Sequence, residues 1–280
     1  MIAFAGRNIK LFFRDRAAVF FSLLSVLIAI GIYAMFLRNI LAGTAPAGHE
    51  TVIDLMMISG ILSIMPITAT MGAFAVVVED RQTNRFKDFY TAPIKRSALT
   101  GGYILGAVGV GATVSMAGLA ISLIIIAGLG EIPTLMTVFS AVLVLLLTSA
   151  VTASLMLLVT SFFSSEHAFS GVTAAFGAFL GFLTGVYMPV GQLPEGIRIV
   201  VAAFPFAHSS ALMRNIFMQN AISEAFYGAP ESVLDNFALQ AGTVYEIGTV
   251  RTNGIISIGV LLATAAVFFM LSLIRVAKKA

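Results

Sequence analysis

Residues 132–165 read IPTLMTVFSAVLVLLLTSAVTASLMLLVTSFFSS, a run of 34 residues without a charged side chain. The apolar core of a bilayer is about 30 Å thick, and a helix needs about 20 residues to cross it. The run is long enough for one tilted span and too short for two spans joined by a turn. It therefore predicts one membrane-crossing helix.

Five further charge-free stretches pass the same length test. They cover residues 17–37, 55–78, 97–130, 168–193 and 252–274. Of the 280 residues, 59% are apolar and 10% are charged, whereas a soluble domain carries about 25% charged residues. We therefore expect an all-α, polytopic membrane protein with six transmembrane helices in a single domain, residues 1–280, and we exclude a cytosolic enzyme.

Motifs for catalysis are missing from the chain. It has no cysteine for a disulfide or a thiolate site, and no lysine follows a glycine as a phosphate-binding loop requires. The three histidines, His49, His167 and His208, fall in separate loops, which does not suggest a zinc site. We expect no enzymatic activity, no metal and no cofactor bound by this chain.

The basic residues set the orientation of the spans. With the N-terminus inside, twelve of the sixteen lysines and arginines lie in cytoplasmic segments, as the positive-inside rule requires. Both termini are therefore expected in the cytoplasm. The isoelectric point near 9.3 is attributed to these loops and not to a nucleic-acid partner.

The first sixteen residues have the pattern of an amphipathic helix. Apolar and basic side chains follow separate faces, Ile2, Ala5, Ile9, Phe12 and Phe13 on one and Arg7, Lys10 and Arg14 on the other. This predicts a helix lying along the cytoplasmic interface. The alternative is a positively charged leader that only orients the first span. No small-residue cleavage site follows, so we expect the segment to be retained.

Residues 194–251 are expected outside the membrane, with one exception. The apolar stretch between Pro194 and Pro205 is about ten residues long, too short to span. It predicts a re-entrant helix that dips into the outer leaflet between helices five and six. Glycine spacing at Gly102 and Gly106 of the third span, and at Gly177, Gly181 and Gly185 of the fifth, predicts close approaches of other helices to these two spans.

The loop of residues 79–96, EDRQTNRFKDFYTAPIKR, joins the second and third spans. Three aromatic residues at helical spacing, Phe86, Phe89 and Tyr90, would form a ridge on a short helix. We call them the aromatic ridge. Lys87 and Asp88 flank it and Pro93 ends it. The ridge is either a docking surface for a protein partner or an anchor that folds back into the membrane interface.

Several motifs in this order resemble those of the ABC transporter type-2 permease family. They are FFRD at 12–15, ED at 79–80, KDF at 87–89, PIKR at 93–96, YMP at 187–189, LP at 193–194, and PFAH at 205–208 followed by Arg214. The resemblance covers essentially the whole chain. Where a glycine is expected in the loop the chain has Asn84, which also tolerates left-handed backbone geometry.

The resemblance implies the permease subunit of an ATP-driven exporter in the plasma membrane. A separate ABC ATPase subunit would bind ATP and magnesium, and a second permease would complete a homodimer or heterodimer. The expected cargo is a hydrophobic or amphipathic compound such as an antibiotic, a peptide or a lipid-like molecule, as in multidrug resistance efflux. The alternatives are a non-transporting membrane sensor or binding subunit, and an ion channel or secondary carrier.

The resemblance also implies two sets of site residues. The ATPase-coupling residues would be Glu79, Asp80, Phe86, Lys87, Asp88, Phe89, Tyr90 and Pro93. The outer gate with the re-entrant segment would involve Pro189, Pro194, Pro205, His208 and Arg214.

Overall fold

The computed structural model describes residues 1–33, 35, 38, 50–85, 96–247 and 250–278. These residues form helices joined by short connections, with one two-stranded antiparallel ribbon. The helices are α1 Ile2–Arg14, α2 Arg16–Ile32, α3 Thr51–Ala73, α4 Ala75–Gln82, α5 Arg96–Gly128, α6 Leu135–Thr160, α7 Glu166–Leu183, α8 Glu195–Ala203, α9 Pro205–Ala225, α10 Glu231–Ala241 and α11 Gly254–Lys278. A 3₁₀ turn, Val190–Gln192, precedes α8, and the ribbon pairs β1, Glu246–Ile247, with β2, Val250–Arg251.

The all-α prediction is confirmed, but the number of spans is not. Among the described residues, four helical segments are long and apolar enough to cross a membrane, namely Thr51–Gln82, Ser97–Gly128, Leu135–Thr160 and Gly254–Arg275. The pair α8 and α9 gives a fifth candidate if it is one span bent by 87°. In the described residues, α2 has only 17 residues, and α7 carries Glu166 and His167 in its first turn. The six-span count therefore stays a prediction.

Helix α3 lies at the centre of the bundle. Most of its side chains are buried, and it packs against α2, α5, α6 and α9. By contrast, α11 packs against α6 and α9 with one side and leaves most of its residues exposed. In a bilayer an exposed apolar helix surface faces lipid without cost, because the helix satisfies its own backbone hydrogen bonds.

Local signals shorten the predicted spans. Helix α6 begins at Leu135, because Thr134 caps it by accepting a hydrogen bond from the Thr137 amide at 3.2 Å. Helix α7 ends at Leu183, where Gly185 adopts a left-handed φ of +68°. The predicted extension of this span to residue 193 is therefore wrong.

Helix α9 is the main element that the sequence did not predict. Residues beyond Pro205 were assigned to the external segment, yet they form a 21-residue helix packed against α3, α6 and α11. The short helix before it was predicted within one residue, since α8 covers Glu195–Ala203. The sharp bend between α8 and α9 fits a re-entrant loop or a broken span, so the re-entrant geometry also stays a prediction.

Candidate coupling site

Helix α1 lies in a groove formed by glycines of α5. A Cβ atom added at Gly102 would lie 2.7 Å from the Phe4 ring, and one at Gly106 would lie 2.9 Å from Cβ of Asn8. Because neither glycine has a side chain, α1 approaches the backbone of α5 closely. This confirms the predicted close approach at Gly102 and Gly106 and identifies α1 as the helix that makes it. For Gly177 of the fifth span the prediction is wrong, because a Cβ atom added there would lie within 4 Å of no atom of the described residues.

The amphipathic pattern of α1 is confirmed with a shifted face. Ala5, Asn8 and Phe12 are buried, whereas Ile2 is 81% exposed. Arg7 was assigned to the solvated basic face. In the structure it points between α4 and α5, where it binds Asp80.

Asp80 is the centre of a buried polar cluster that joins three helices. Its side chain is fully buried, and its two oxygens accept hydrogen bonds from Nη1 and Nη2 of Arg7, both at 2.9 Å. The Tyr103 hydroxyl donates a third hydrogen bond at 2.7 Å. Arg7, Asp80 and Tyr103, which we call the junction cluster, thus connect α1, α4 and α5.

The geometry makes the junction cluster a strong electrostatic contact. Arg7 binds Asp80 through two parallel N–H donors, the arrangement that gives charge-assisted hydrogen bonds both strength and direction. The carboxylate raises the pKa of Arg7, chiefly by accepting its hydrogen bonds, although partial burial acts in the opposite sense. A buried carboxylate is tolerated only when it is paired and hydrogen-bonded, so Asp80 depends on Arg7 and Tyr103.

The end of α4 is also bonded to α6 and α7. Arg81 donates a hydrogen bond to the carbonyl oxygen of Thr160, the last residue of α6. The Gln82 side-chain oxygen accepts a hydrogen bond from the Glu166 amide, at the first residue of α7, at 3.1 Å. The last turn of α4 therefore touches four helices through polar contacts.

The chain then turns towards the predicted aromatic ridge. Glu79 forms an exposed ion pair with Arg85 at 3.0 Å. Asn84 has a φ of +58°, the left-handed geometry that the sequence suggested it could adopt. The aromatic ridge, its flanking residues and Pro93 lie at 86–93, outside the described residues. Of the predicted coupling residues, Glu79 and Asp80 are the ones the structure places.

The predicted gate residues fall into two groups. Pro189 and Pro194 lie in the connection between α7 and α8, where each precedes a helical turn. Pro205 lies at the first position of α9, where a backbone N–H would have no partner within the helix, so the missing N–H of proline costs nothing. His208 and Arg214 lie further along α9 and are both buried.

His208 and Arg214 fasten α9 to its neighbours. The two ring nitrogens of His208 lie 3.1 Å from Oγ of Ser257 in α11 and 2.9 Å from the carbonyl oxygen of Ala202 in α8. Arg214 donates from Nη2 to the carbonyl oxygens of Thr184, at 2.7 Å, and Gly185, at 3.0 Å. The turn after α7, the end of α8 and the start of α11 thus meet on α9.

Arg214 has an unusual environment for a cation. Its side chain is fully buried, and Nε and Nη1 have no hydrogen-bond partner. A Cβ at Gly242 would lie 2.9 Å from Nη1, and Gly185 is similarly close, so backbone surrounds the guanidinium. Among the described residues it forms no ion pair, and only carbonyl dipoles compensate its charge.

Most of the chain matches a known protein family. A family model described as "ABC-2 family transporter protein" matches residues 50–274. The chain belongs to the ABC-2 transporter family. The match covers the helices from α3 to α10 and α11 as far as residue 274, and so includes the site around α4 and the buried helix α9. No curated protein matches the chain significantly.

Membership in the ABC-2 family has direct consequences. The chain is a multi-pass membrane subunit of an ABC transporter, and members of this family are transport subunits that work with an ABC ATPase. The matched range begins at residue 50 and so leaves out α1. The contribution of Arg7 to the site is therefore visible only in the structure.

The sequence missed Arg7 and Tyr103 as site residues. Arg7 looked like one of several basic side chains on an exposed helix face, and Tyr103 like one aromatic residue in an apolar span. A usable signal was Asp80 itself, because a carboxylate next to a span requires a partner. The partner lies 73 residues away in the sequence, and the sequence does not indicate which basic residue supplies it.

Proposed function

We propose that the chain is the permease subunit of an ATP-driven exporter and that residues 79–93 couple it to the ATPase. The observation that carries the proposal is the set of polar contacts at the end of α4. Asp80 binds α1 and α5, Arg81 binds α6, and Gln82 binds α7. A displacement of the segment that follows α4 would therefore be transmitted to four helices at once.

The aromatic ridge would provide the contact with the ATPase. A few desolvated aromatic anchors carry most of the energy of a protein interface, about 2 kcal/mol or more for each true hot spot. In this proposal Phe86, Phe89 and Tyr90 dock in a groove of the ATPase, with Lys87 and Asp88 beside them.

The ridge is tested with the variant Phe86→Ala plus Phe89→Ala in the assembled transporter. We expect ATPase copurification and transport to fall at least ten-fold, while the amount of permease in the membrane stays constant because no span is altered. Phe89→Pro should be more damaging than Phe89→Ala, since it also disrupts the short helix. Tyr227→Ala, at a side chain that is 93% exposed, is the matched control. Wild-type copurification and transport in the double variant would reduce the ridge to an interfacial anchor.

In this proposal the separate ABC ATPase hydrolyses the ATP. ATP and magnesium bind the ABC ATPase, and this chain holds no cofactor, because it has no glycine-lysine pattern to cradle phosphates. Two permeases and two ATPases would form the working transporter. Purified permease, freed of contaminating ATPase, should not hydrolyse ATP, and measurable hydrolysis would contradict this division of labour.

The proposed membrane is the plasma membrane, with both termini in the cytoplasm. The chain contains no cysteine, so single cysteines can report the topology without background. A cysteine at Asn84 should react only with reagents that reach the cytoplasm, and one at Ser232 should react with impermeant external reagents. The reverse pattern would invert the proposed topology.

We assign the outer gate to the turn after α7, helix α8 and the first half of α9. The contacts of His208 and Arg214 support this role, because they fasten a sharply bent helix pair to α11 and to the turn at Gly185. The proposed cargo is a hydrophobic or amphipathic compound. A deletion strain tested against lipopeptides, bacteriocins and cationic drugs should become sensitive to one of these classes. Unchanged sensitivity to all of them would argue against this cargo.

A further inference from the structure

A cavity of about 530 Å³ lies between α2, α3 and α5, away from the coupling site. Its volume falls within the range of about 300 to 1,000 Å³ that is usual for small-molecule sites. We call it the α2–α3–α5 cavity. The walls are almost entirely aliphatic and include Ile58, Ile61 and Met65 of α3 and Ile121 of α5.

One end of this cavity is charged. Asp54 accepts hydrogen bonds from the Tyr33 hydroxyl at 2.5 Å and from Nε and Nη2 of Arg38 at 2.9 and 3.2 Å. All three residues line the cavity. The Asp54 side chain is 10% exposed, whereas that of Arg38 is 51% exposed. The Asp54 carboxylate is therefore covered, and of the two ion-pair partners the Arg38 guanidinium is the one that a ligand can reach.

The length of the cavity corresponds to one leaflet of a bilayer. Asp54 and Met65 are eleven residues apart on α3, which is about 16 Å along the helix axis. Half of an apolar bilayer core measures about 15 Å. A charged group at one end and an aliphatic wall of this length are complementary to a lipid headgroup and its acyl chain.

The open side of the cavity is bounded by exposed aliphatic residues. Leu27 is 61% exposed, Ile121 is 56% exposed and Ile125 is 40% exposed. These residues lie on α2 and α5, so a chain can enter sideways from the surrounding apolar phase.

We propose that the α2–α3–α5 cavity binds one acyl chain of an anionic phospholipid, with the lipid phosphate on Arg38. Arg38 uses two of its five N–H donors on Asp54, so donors remain for a phosphate oxygen. Arginine favours phosphate because its planar fork can bind two oxygens at once. The aliphatic wall accepts the chain by burial of apolar surface. Lipid binding here does not depend on the exporter function proposed above.

The test uses the full chain in nanodiscs of phosphatidylcholine that contain a photoreactive phosphatidic acid. The reactive group is placed near the end of the acyl chain, and labelled residues are mapped by mass spectrometry. We expect labelling near Met65 and Gly118, at the deep end of the cavity. Photoreactive phosphatidylcholine in place of phosphatidic acid should label the same residues several-fold less.

Two pairs of variants separate chain binding from headgroup binding. Ala117→Phe fills the cavity that Ala117 lines and should lower labelling about ten-fold. Ala120→Phe, three residues further along the exposed side of α5 and outside the cavity lining, should leave labelling unchanged. Arg38→Gln should abolish the preference for phosphatidic acid, whereas Arg38→Lys should keep most of it.

Three results would overturn the proposal. The first is an equal change in cavity labelling with Ala117→Phe and with Ala120→Phe. The second is a phosphatidic acid preference that survives Arg38→Gln. The third is a change in oligomeric state with Ala117→Phe, measured by size-exclusion chromatography with light scattering, because the cavity would then be covered by a second permease.

Discussion

The pair formed by Arg7 and Asp80 permits a sharp test of the junction cluster by a double-mutant cycle. The perturbations are Arg7→Met, Asp80→Leu and the two together, each replacing a polar side chain by an apolar one of comparable size. The single variants remove one partner, and the double variant removes the pair. The question is whether the free energies of unfolding of the single variants add up in the double variant.

The magnitudes follow from the unequal burial of the two partners. Arg7→Met removes the two-donor partner of the fully buried Asp80 and leaves it Tyr103 at 2.7 Å and Arg85 at 3.4 Å. The expected cost is about 3 kcal/mol, the low end for a buried charge that loses its partner. Asp80→Leu leaves Arg7, which is 30% exposed and can regain water, so the cost is about 1 to 2 kcal/mol. The double variant buries no unpaired charge. Like Asp80→Leu, it removes the acceptor of the Tyr103 hydroxyl bond, so it should be about 1 kcal/mol less stable than wild type. The expected coupling energy is therefore about 3 kcal/mol or more.

The assay is unfolding of purified permease in mixed micelles of mild detergent and dodecyl sulfate, followed by circular dichroism. Arg251 and Asp235 provide the matched control, because they form an ion pair at 2.8 Å with both side chains substantially exposed. Their cycle, Arg251→Met with Asp235→Leu, should show no measurable coupling, since exposed pairs contribute little. Additive free energies in the Arg7 and Asp80 cycle would refute the view that Asp80 depends on Arg7.

Other contacts give further predictions. Gly106→Val should detach α1 from α5, because the added atoms meet Asn8. Gly177→Val is the control and should leave α1 in place, because no atom lies within 4 Å of the new Cβ. Faster proteolysis near the N-terminus of the Gly106 variant alone would distinguish the two. Arg214→Met should unfold at a temperature close to that of wild type, because removal of a buried unpaired charge offsets the loss of the hydrogen bonds to Thr184 and Gly185. Arg214→Lys should unfold at a lower temperature, because it keeps the buried charge and loses part of the hydrogen bonding. Burial raises the pKa of Tyr245 to about 12, above the ordinary value near 10, so this residue's stabilising effect is complete below pH 10 and lost as the pH rises through about 12. Tyr245→Phe should flatten that part of the pH dependence of unfolding, and an unchanged profile would contradict the assignment.

The sequence alone determined the class of the protein. Charge-free runs of about 20 residues or more form helices in a bilayer, because a helix pairs its own backbone N–H and C=O groups where no water is present. Local signals were also readable, such as the prolines that bound α8 and the left-handed residue Asn84. Each of these depends on residues close together in the chain.

The tertiary structure decided which polar groups meet. Asp80 was recognised within the loop motif, but its partners Arg7 and Tyr103 come from other helices, and α9 was hidden because its mixed polar and apolar composition resembles a loop. Hydropathy averages a whole segment, whereas the burial of Arg214 or Asp80 depends on single contacts with residues far away in the sequence. The local pattern therefore indicates where strongly apolar helices form. Helix packing decides whether a segment of mixed composition such as α9 becomes a buried helix, and which charges are buried and paired.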